Sequence, residues 1–318
     1  MSKLHSASRR RALAMMGSAA GIAVTGITGL ASGAAAAQVG ATAPLHKRPI
    51  PRSGERLPVV GLGTYRTFDI GPTKAAREPI REVLRRFVDL GGTVIDSSPM
   101  YGRAESIVGE LATELGVGDR LFHATKVWTR GQASGIAQME ASFERMRVRQ
   151  MDLMQIHNLL DLETHHATLE AWKAEGRIRY IGITHYQAGA HETLERLIRK
   201  REFDFVQVNY SIAEREAEAR LLPLAHEHGV AVLVNRPFAQ AGLFGRVRGV
   251  DLPAWAADFD CRSWGQFFLK YILAHPAVTS VIPATSNPMH LEDNMGAGTG
   301  RLPDETTRRK MVEFVANL

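Results

Sequence analysis

From Val59 onward, short apolar runs alternate with amphipathic stretches of about a dozen residues, and the alternation repeats across the chain. Candidate strands are 59–63, 93–96, 121–126, 153–157, 180–184, 205–209, 231–235 and 278–283. Helical patterns fall between them at 80–90, 105–115, 135–146, 162–175, 192–200, 214–228 and 264–274, with a terminal one at 304–315. In the first, Ile80, Val83, Leu84, Phe87 and Leu90 recur at helical spacing and predict one buried stripe. Gly91-Gly92, Gly176, Gly229 and Pro276 stand where helices should stop. Eight strands separated by helices predict a closed (β/α)8 barrel in a single domain. An open doubly wound sheet is the alternative, but eight strands stretch it and its glycine fingerprint is absent. A length of 318 residues accommodates one barrel of about 250 residues plus an extension. The stretch 238–259 shows no clear period and is expected to be a functional loop.

The extension reads as an address. Ser8-Arg9-Arg10-Arg11-Ala12-Leu13 precedes an Ala/Gly/Val/Ile run that ends in Ala35-Ala36-Ala37, an A-x-A cleavage pattern before Gln38. The paired arginines are similar to the twin-arginine type of export signal, whose pathway carries folded proteins. The run is long enough for a retained membrane helix, but its glycines and alanines make a poor anchor. The expected organisation is a signal peptide at 1–37, a linker and lead-in at 38–57, and the barrel at 58–318. Localisation would then be periplasmic or otherwise exported, through the twin-arginine machinery and without a stable membrane anchor.

Charge and motifs exclude several functions. Residues 1–37 carry Lys3, Arg9, Arg10 and Arg11 with no acid, leaving +2 of the net +6 for the rest. No remaining basic run is interleaved with aromatics, so nucleic acid is not an expected partner. One cysteine, Cys261, excludes a disulfide framework and a multi-cysteine zinc site. Gly61-Leu62-Gly63 lacks the third glycine of a dinucleotide fingerprint, and there is no Gly-Lys of a phosphate loop, no HExxH and no Gly-x-Ser-x-Gly elbow. The pairs His226/His228 and His165/His166 are expected on the solvated surface rather than as metal ligands.

What remains is a polar set at predicted strand ends, where such a barrel builds its active site. Asp96 ends one strand and Tyr101 follows five residues later; Lys126 finishes the next strand and His157 the one after. A buried lysine needs a partner, and Asp96 is available one strand away. A phenol is too weak an acid unaided, and a nearby ammonium is expected to lower its pKa. His157 can hydrogen-bond the same substrate oxygen. Such a set protonates a carbonyl oxygen, or deprotonates an alcohol, while hydride moves at the adjacent carbon.

These residues, together with Gly61-Leu62-Gly63-Thr64-Tyr65, Asp96-Ser97-Ser98-Pro99-Met100-Tyr101-Gly102, Asp152-Leu153-Met154-Gln155-Ile156-His157, Arg179-Tyr180-Ile181-Gly182-Ile183-Thr184, Gln207-Val208-Asn209-Tyr210 and Val281-Ile282-Pro283, give a sequence that resembles the aldo-keto reductase superfamily. The resemblance implies a barrel that binds NADP(H) without a Rossmann fold and reduces an aldehyde or ketone. It implies Asp96, Tyr101, Lys126 and His157 as the catalytic tetrad, with Tyr101 the general acid. It also implies cofactor contacts at Gly63, Thr64, Thr184, His185, Gln207, Asn235, Arg236, Thr285 and Asn294, and a substrate pocket bearing Tyr65 and Trp128.

Three departures stand out: Thr184-His185 where Ser-Asn is usual, Asn235-Arg236 where an aromatic usually stacks on the nicotinamide, and no cation in 284–290. The last leaves NAD(H) open beside NADP(H). The alternatives are a non-catalytic nicotinamide-binding regulatory or partner protein on the same barrel, and a glycosidase, which would need a second carboxylate at the rim.

Overall fold

The computed structural model describes residues 44–318, so the segment read as an export signal lies outside the described residues. Ten strands are described: β1 (Lys47–Pro49), β2 (Arg56–Pro58), β3 (Leu62–Gly63), β4 (Val94–Asp96), β5 (Phe122–Val127), β6 (Met151–His157), β7 (Ile178–His185), β8 (Phe205–Asn209), β9 (Ala231–Asn235) and β10 (Val278–Val281). The last eight pair in sequence order, all in parallel. Parallel bridges Val60↔Val281 and Gly63↔Ala284 join the first of them to the last and close the barrel. Gly63 permits that seam, since a Cβ there would lie 2.8 Å from the Ile282 carbonyl oxygen.

Among the described residues, ten α-helices surround the strands: α1 (Lys74–Asp89), α2 (Ala104–Leu115), α3 (Gln132–Met146), α4 (Leu162–Ala174), α5 (His191–Lys200), α6 (Leu221–Glu227), α7 (Gly242–Arg246), α8 (Trp264–Leu273), α9 (Pro288–Gly296) and α10 (Glu305–Ala316). The stripe predicted on α1 buries Ile80, Val83, Leu84 and Phe87, while Leu90, just past the helix end, is exposed. This helix begins earlier than predicted. Thr73 accepts from the Ala76 N–H, and the helix runs through Pro79 at the loss of one backbone bond. The helix expected at 214–228 is broken instead. A 3-10 turn at Glu216–Glu218 precedes α6, and Pro223 is the third residue of that helix, where its missing N–H forfeits no helical bond and its ring disfavours a preceding helical turn. The aperiodic stretch 238–259 contains α7 and a 3-10 segment at Ala254–Phe259.

Two hydrophobic layers follow from the strand period of two. Outward residues such as Ile95, Val127, Met154 and Val206 pack under the helices. Inward residues at the strand starts, including Val94, Phe122, Leu153, Tyr180, Phe205 and Ala231, form a separate cluster completed by Ile50 and Leu57. Those two come from the β1–β2 hairpin, which therefore plugs the N-terminal mouth rather than serving as a linker. Arg48 of the hairpin donates to the carbonyls of Leu273, His275 and Val278. His165 and His166, expected on the surface, are buried: His165 Nε2 lies 2.7 Å from the Thr129 carbonyl, and the His166 ring packs edge-on against Phe203. Among the described residues, no helix is long and apolar enough to cross a membrane.

Candidate active site

Along each strand the inward side chains change from apolar to polar toward the C-terminal end. On β4 the inward pair is Val94 then Asp96; on β5 it is Phe122, Ala124, Lys126; on β6 it is Leu153, Gln155, His157. The bottom of the barrel is thus an oily plug and the top a buried polar floor. Lys126, with no exposure, donates to Asp96 Oδ2 at 2.6 Å and to the Ser97 carbonyl at 2.6 Å. Its Nζ lies 5.1 Å from the centre of the Tyr101 ring. Tyr101 in turn sits edge-on to His157, with ring centres 6.0 Å apart. Asp96, Tyr101, Lys126 and His157 therefore share one locus.

The electrostatics correct one expectation. Burial raises the pKa of Tyr101 above its ordinary value; Lys126 pulls the other way without cancelling it, and Asp96 adds to the rise. The phenol is held as an acid, where the sequence suggested a lowered pKa. Burial alone would favour a neutral Lys126, but the Asp96 and Tyr101 charges outweigh it and raise its pKa. Burial and the neighbouring Lys126 pull His157 down to about 3, so its ring is neutral. Ser98 Oγ lies 3.2 Å from His157 Nδ1. With Ser98 donating there, the ring carries its proton on Nε2.

Seven of the nine residues assigned to a nucleotide fall into three groups. Thr64 lies in the floor, its Oγ1 3.0 Å from both the Asp96 carbonyl oxygen and Ser97 Oγ, while Gly63 donates its N–H to the Pro283 carbonyl across the seam. Thr184 and Asn235 both donate to Gln207 Oε1, at 3.3 and 3.4 Å, and Gln207 Nε2 donates to Asp96 Oδ1 at 2.8 Å. His185 stacks on Tyr186 with ring centres 5.6 Å apart; Arg236 donates to the Tyr186 carbonyl at 3.0 Å and approaches Glu214 at 3.7 Å. Thr285 stands apart, donating to the Asn287 carbonyl at 3.4 Å and accepting from its N–H at 3.1 Å, and Asn294 is buried on α9. Tyr65 and Trp128 flank the tetrad, 5.0 Å from the Tyr101 ring and 6.2 Å from the His157 ring, and each is nearly half exposed.

Two residues of the site escaped the sequence reading. Ser98 touches His157, and Gln155 donates to Asp96 Oδ1 at 2.9 Å. Gln155 could have been found from parity, because it lies two residues before His157 and must share its face.

Comparison with known proteins identifies the fold and the family. The profile of the Aldo/keto reductase family matches residues 59–310. Methylglyoxal reductase YeaE of Escherichia coli is 29% identical over 259 residues, covering 79% of this chain and 89% of that protein. An NADH-specific methylglyoxal reductase of Escherichia coli is 26% identical, covering 85% of this chain and 99% of its own length. Among solved structures, an aldo/keto reductase from Klebsiella pneumoniae in complex with NADP and acetate superposes with a TM-score of 0.68 at 26% identity, covering 82% of this chain and 93% of that one. With its closed parallel barrel, its buried polar floor and a family match over most of its length, the chain belongs to the aldo/keto reductase family.

Proposed function

We propose that the chain reduces an aldehyde or ketone, or oxidises the corresponding alcohol, with Tyr101 as general acid. As a member of its family it is a nicotinamide-dependent oxidoreductase acting on carbonyl groups, and NADP(H), bound by the Klebsiella relative, is its cofactor. The carrying observation is the fully buried Lys126, paired at 2.6 Å with Asp96 beneath Tyr101. An ammonium in a barrel interior is costly and adds nothing to packing, so its presence calls for a chemical reason.

The rim fits a nicotinamide nucleotide. Asn235 Oδ1, Arg236 Nε and Asn158 Oδ1 are buried there without a hydrogen-bond partner. Asn235 would accept from a carboxamide N–H, and Arg236 would donate to a phosphate oxygen. When bound, the reduced nicotinamide supplies hydride to the carbonyl carbon. The neutral His157 donates from Nε2 to the carbonyl oxygen and orients it. Tyr101 hands its hydroxyl proton to that oxygen, and Lys126 stabilises the phenolate left behind. Asp96 keeps Lys126 charged and aimed. The phenol is protonated over the neutral range, as a proton donor must be.

The test is Tyr101→Phe, assayed by NADPH absorbance against a panel of aldehydes and ketones. General acid catalysis is worth roughly 10²–10⁴-fold, so turnover should fall by that factor with nucleotide affinity within threefold. Turnover at the wild-type rate overturns the assignment.

We also propose export by the twin-arginine route, supported by the order of charge, apolar run and A-x-A site in residues 8–37. Export of the folded chain would let it leave with nucleotide bound. Changing both Arg9 and Arg10 to Lys should leave the full-length precursor in the cytoplasmic fraction; unchanged export of that variant refutes the route.

A further inference from the structure

Gln155 is fully buried and makes two bonds that together leave its amide one orientation. Its Nε2 donates to Asp96 Oδ1 at 2.9 Å, and its Oε1 accepts from Gln207 Nε2 at 3.1 Å. Gln207 Nε2 also donates to Asp96 Oδ1, at 2.8 Å. A carboxylate only accepts, so both amides must turn nitrogen toward it. The second N–H of Gln207 then fixes the Gln155 carbonyl. Oδ1 is saturated by two amide donors, and Oδ2 is left for Lys126.

We propose that Gln155 is a positioning residue for the reaction: with Gln207 it clamps the plane of the Asp96 carboxylate, so that one oxygen is aimed at Lys126 and through it at Tyr101. The proposal rests on the reading that Tyr101 transfers the proton. Without the clamp the carboxylate can turn and present both oxygens to Lys126, drawing the ammonium away from the phenol. The amide donors also draw negative charge toward Oδ1, and that charge opposes formation of the phenolate. Losing one donor therefore makes Tyr101 a weaker acid. Gln155 acts through Asp96 and need not touch substrate.

The titratable groups around this carboxylate are Lys126 from β5, Tyr101 from the loop after β4 and His157 from β6, with Tyr65 beside Tyr101 and His185 beside His157. Gln155→Leu and Gln155→Met remove the donor with little change of volume. In the full chain each variant that folds should lower kcat about tenfold, the typical effect of one hydrogen bond to a charged group. KM should stay within threefold, and the alkaline limb of the kcat–pH profile should move up by about half a pH unit or more. A limb that stays in place, or a loss shared equally with KM, overturns the proposal.

A second measurement needs no turnover. In 15N-glutamine-labelled protein, the Gln155 side-chain N–H protons should resist exchange and shift when Asp96→Asn is made. Freely exchanging protons that ignore Asp96→Asn overturn the clamp, whereas failure of the wild type on every carbonyl overturns the reading of the reaction and leaves the clamp to this measurement.

Discussion

Removing the charge of Lys126 while keeping its length gives a measurable account of what the barrel floor holds. The Lys126 side chain is 0% exposed and that of Asp96 4%, with nitrogen and oxygen 2.6 Å apart. At an effective dielectric of ~20, unit charges at that separation attract by about 6 kcal/mol. In Lys126→Met the attraction is lost and a desolvated carboxylate remains, a change that typically costs about 3–5 kcal/mol. The amides of Gln155 and Gln207 still donate to Oδ1, which places the expected loss near the lower end, about 3–4 kcal/mol. For a chain of this size each kcal/mol moves the melting midpoint by about 2–3 °C, so Lys126→Met should melt roughly 6–12 °C lower. The double variant Lys126→Met, Asp96→Asn removes the stranded anion, and the new amide oxygen can accept both glutamine donors. It should recover about 2 kcal/mol relative to Lys126→Met alone. Urea denaturation followed by circular dichroism, run on wild type, both single variants and the double, gives the coupling directly. A Lys126→Met loss under about 1 kcal/mol, or a double variant as unstable as the two singles summed, would refute the reasoning.

Two further outcomes follow from the site. His157 is depressed from 6.5 to about 3 in the folded chain, so the unfolded chain takes up the proton first. Its contribution is fully present above pH 6.5 and is lost as pH falls from there toward 3, reaching about 2–3 kcal/mol by about pH 4.5. Stability measured from pH 8 to 4.5 should therefore decline less steeply in His157→Gln, and parallel curves would contradict the burial argument. Gly102 follows Tyr101 with φ of +58°, and a Cβ there would lie 2.3 Å from Asp69 Oδ1, the acceptor of the Arg103 N–H. Gly102→Ala should cost about 1–3 kcal/mol and lower kcat/KM by displacing the Tyr101 loop; wild-type kinetics would show that this turn does not set the position of the phenol.

The strand and helix alternation was legible because each strand of a parallel barrel is buried on both faces, which makes apolar runs stand out against amphipathic helices. The helix at 214–228 was misjudged because its apolar spacing extends upstream of Pro223, where the proline ring disfavours a preceding helical turn. The hairpin that plugs the barrel was missed because three-residue strands carry no measurable period, and only Ile50 and Leu57 meeting Phe122 and Tyr180 in space reveal its purpose. At the site, Asp96, Lys126 and His157 were legible as polar residues ending apolar strands.

Local sequence dictated which side chains alternate inward and where charge interrupts an apolar run, since both depend on a strand's period of two. The three-dimensional packing alone decided the charge states and the partners. Residue type suggested a phenol made more acidic by its ammonium; burial, a property of the whole barrel, raises its pKa instead. The meeting of Gln155 and Gln207 on one oxygen of Asp96 likewise depends on the stagger of strands β4, β6 and β8, which closure of the barrel sets.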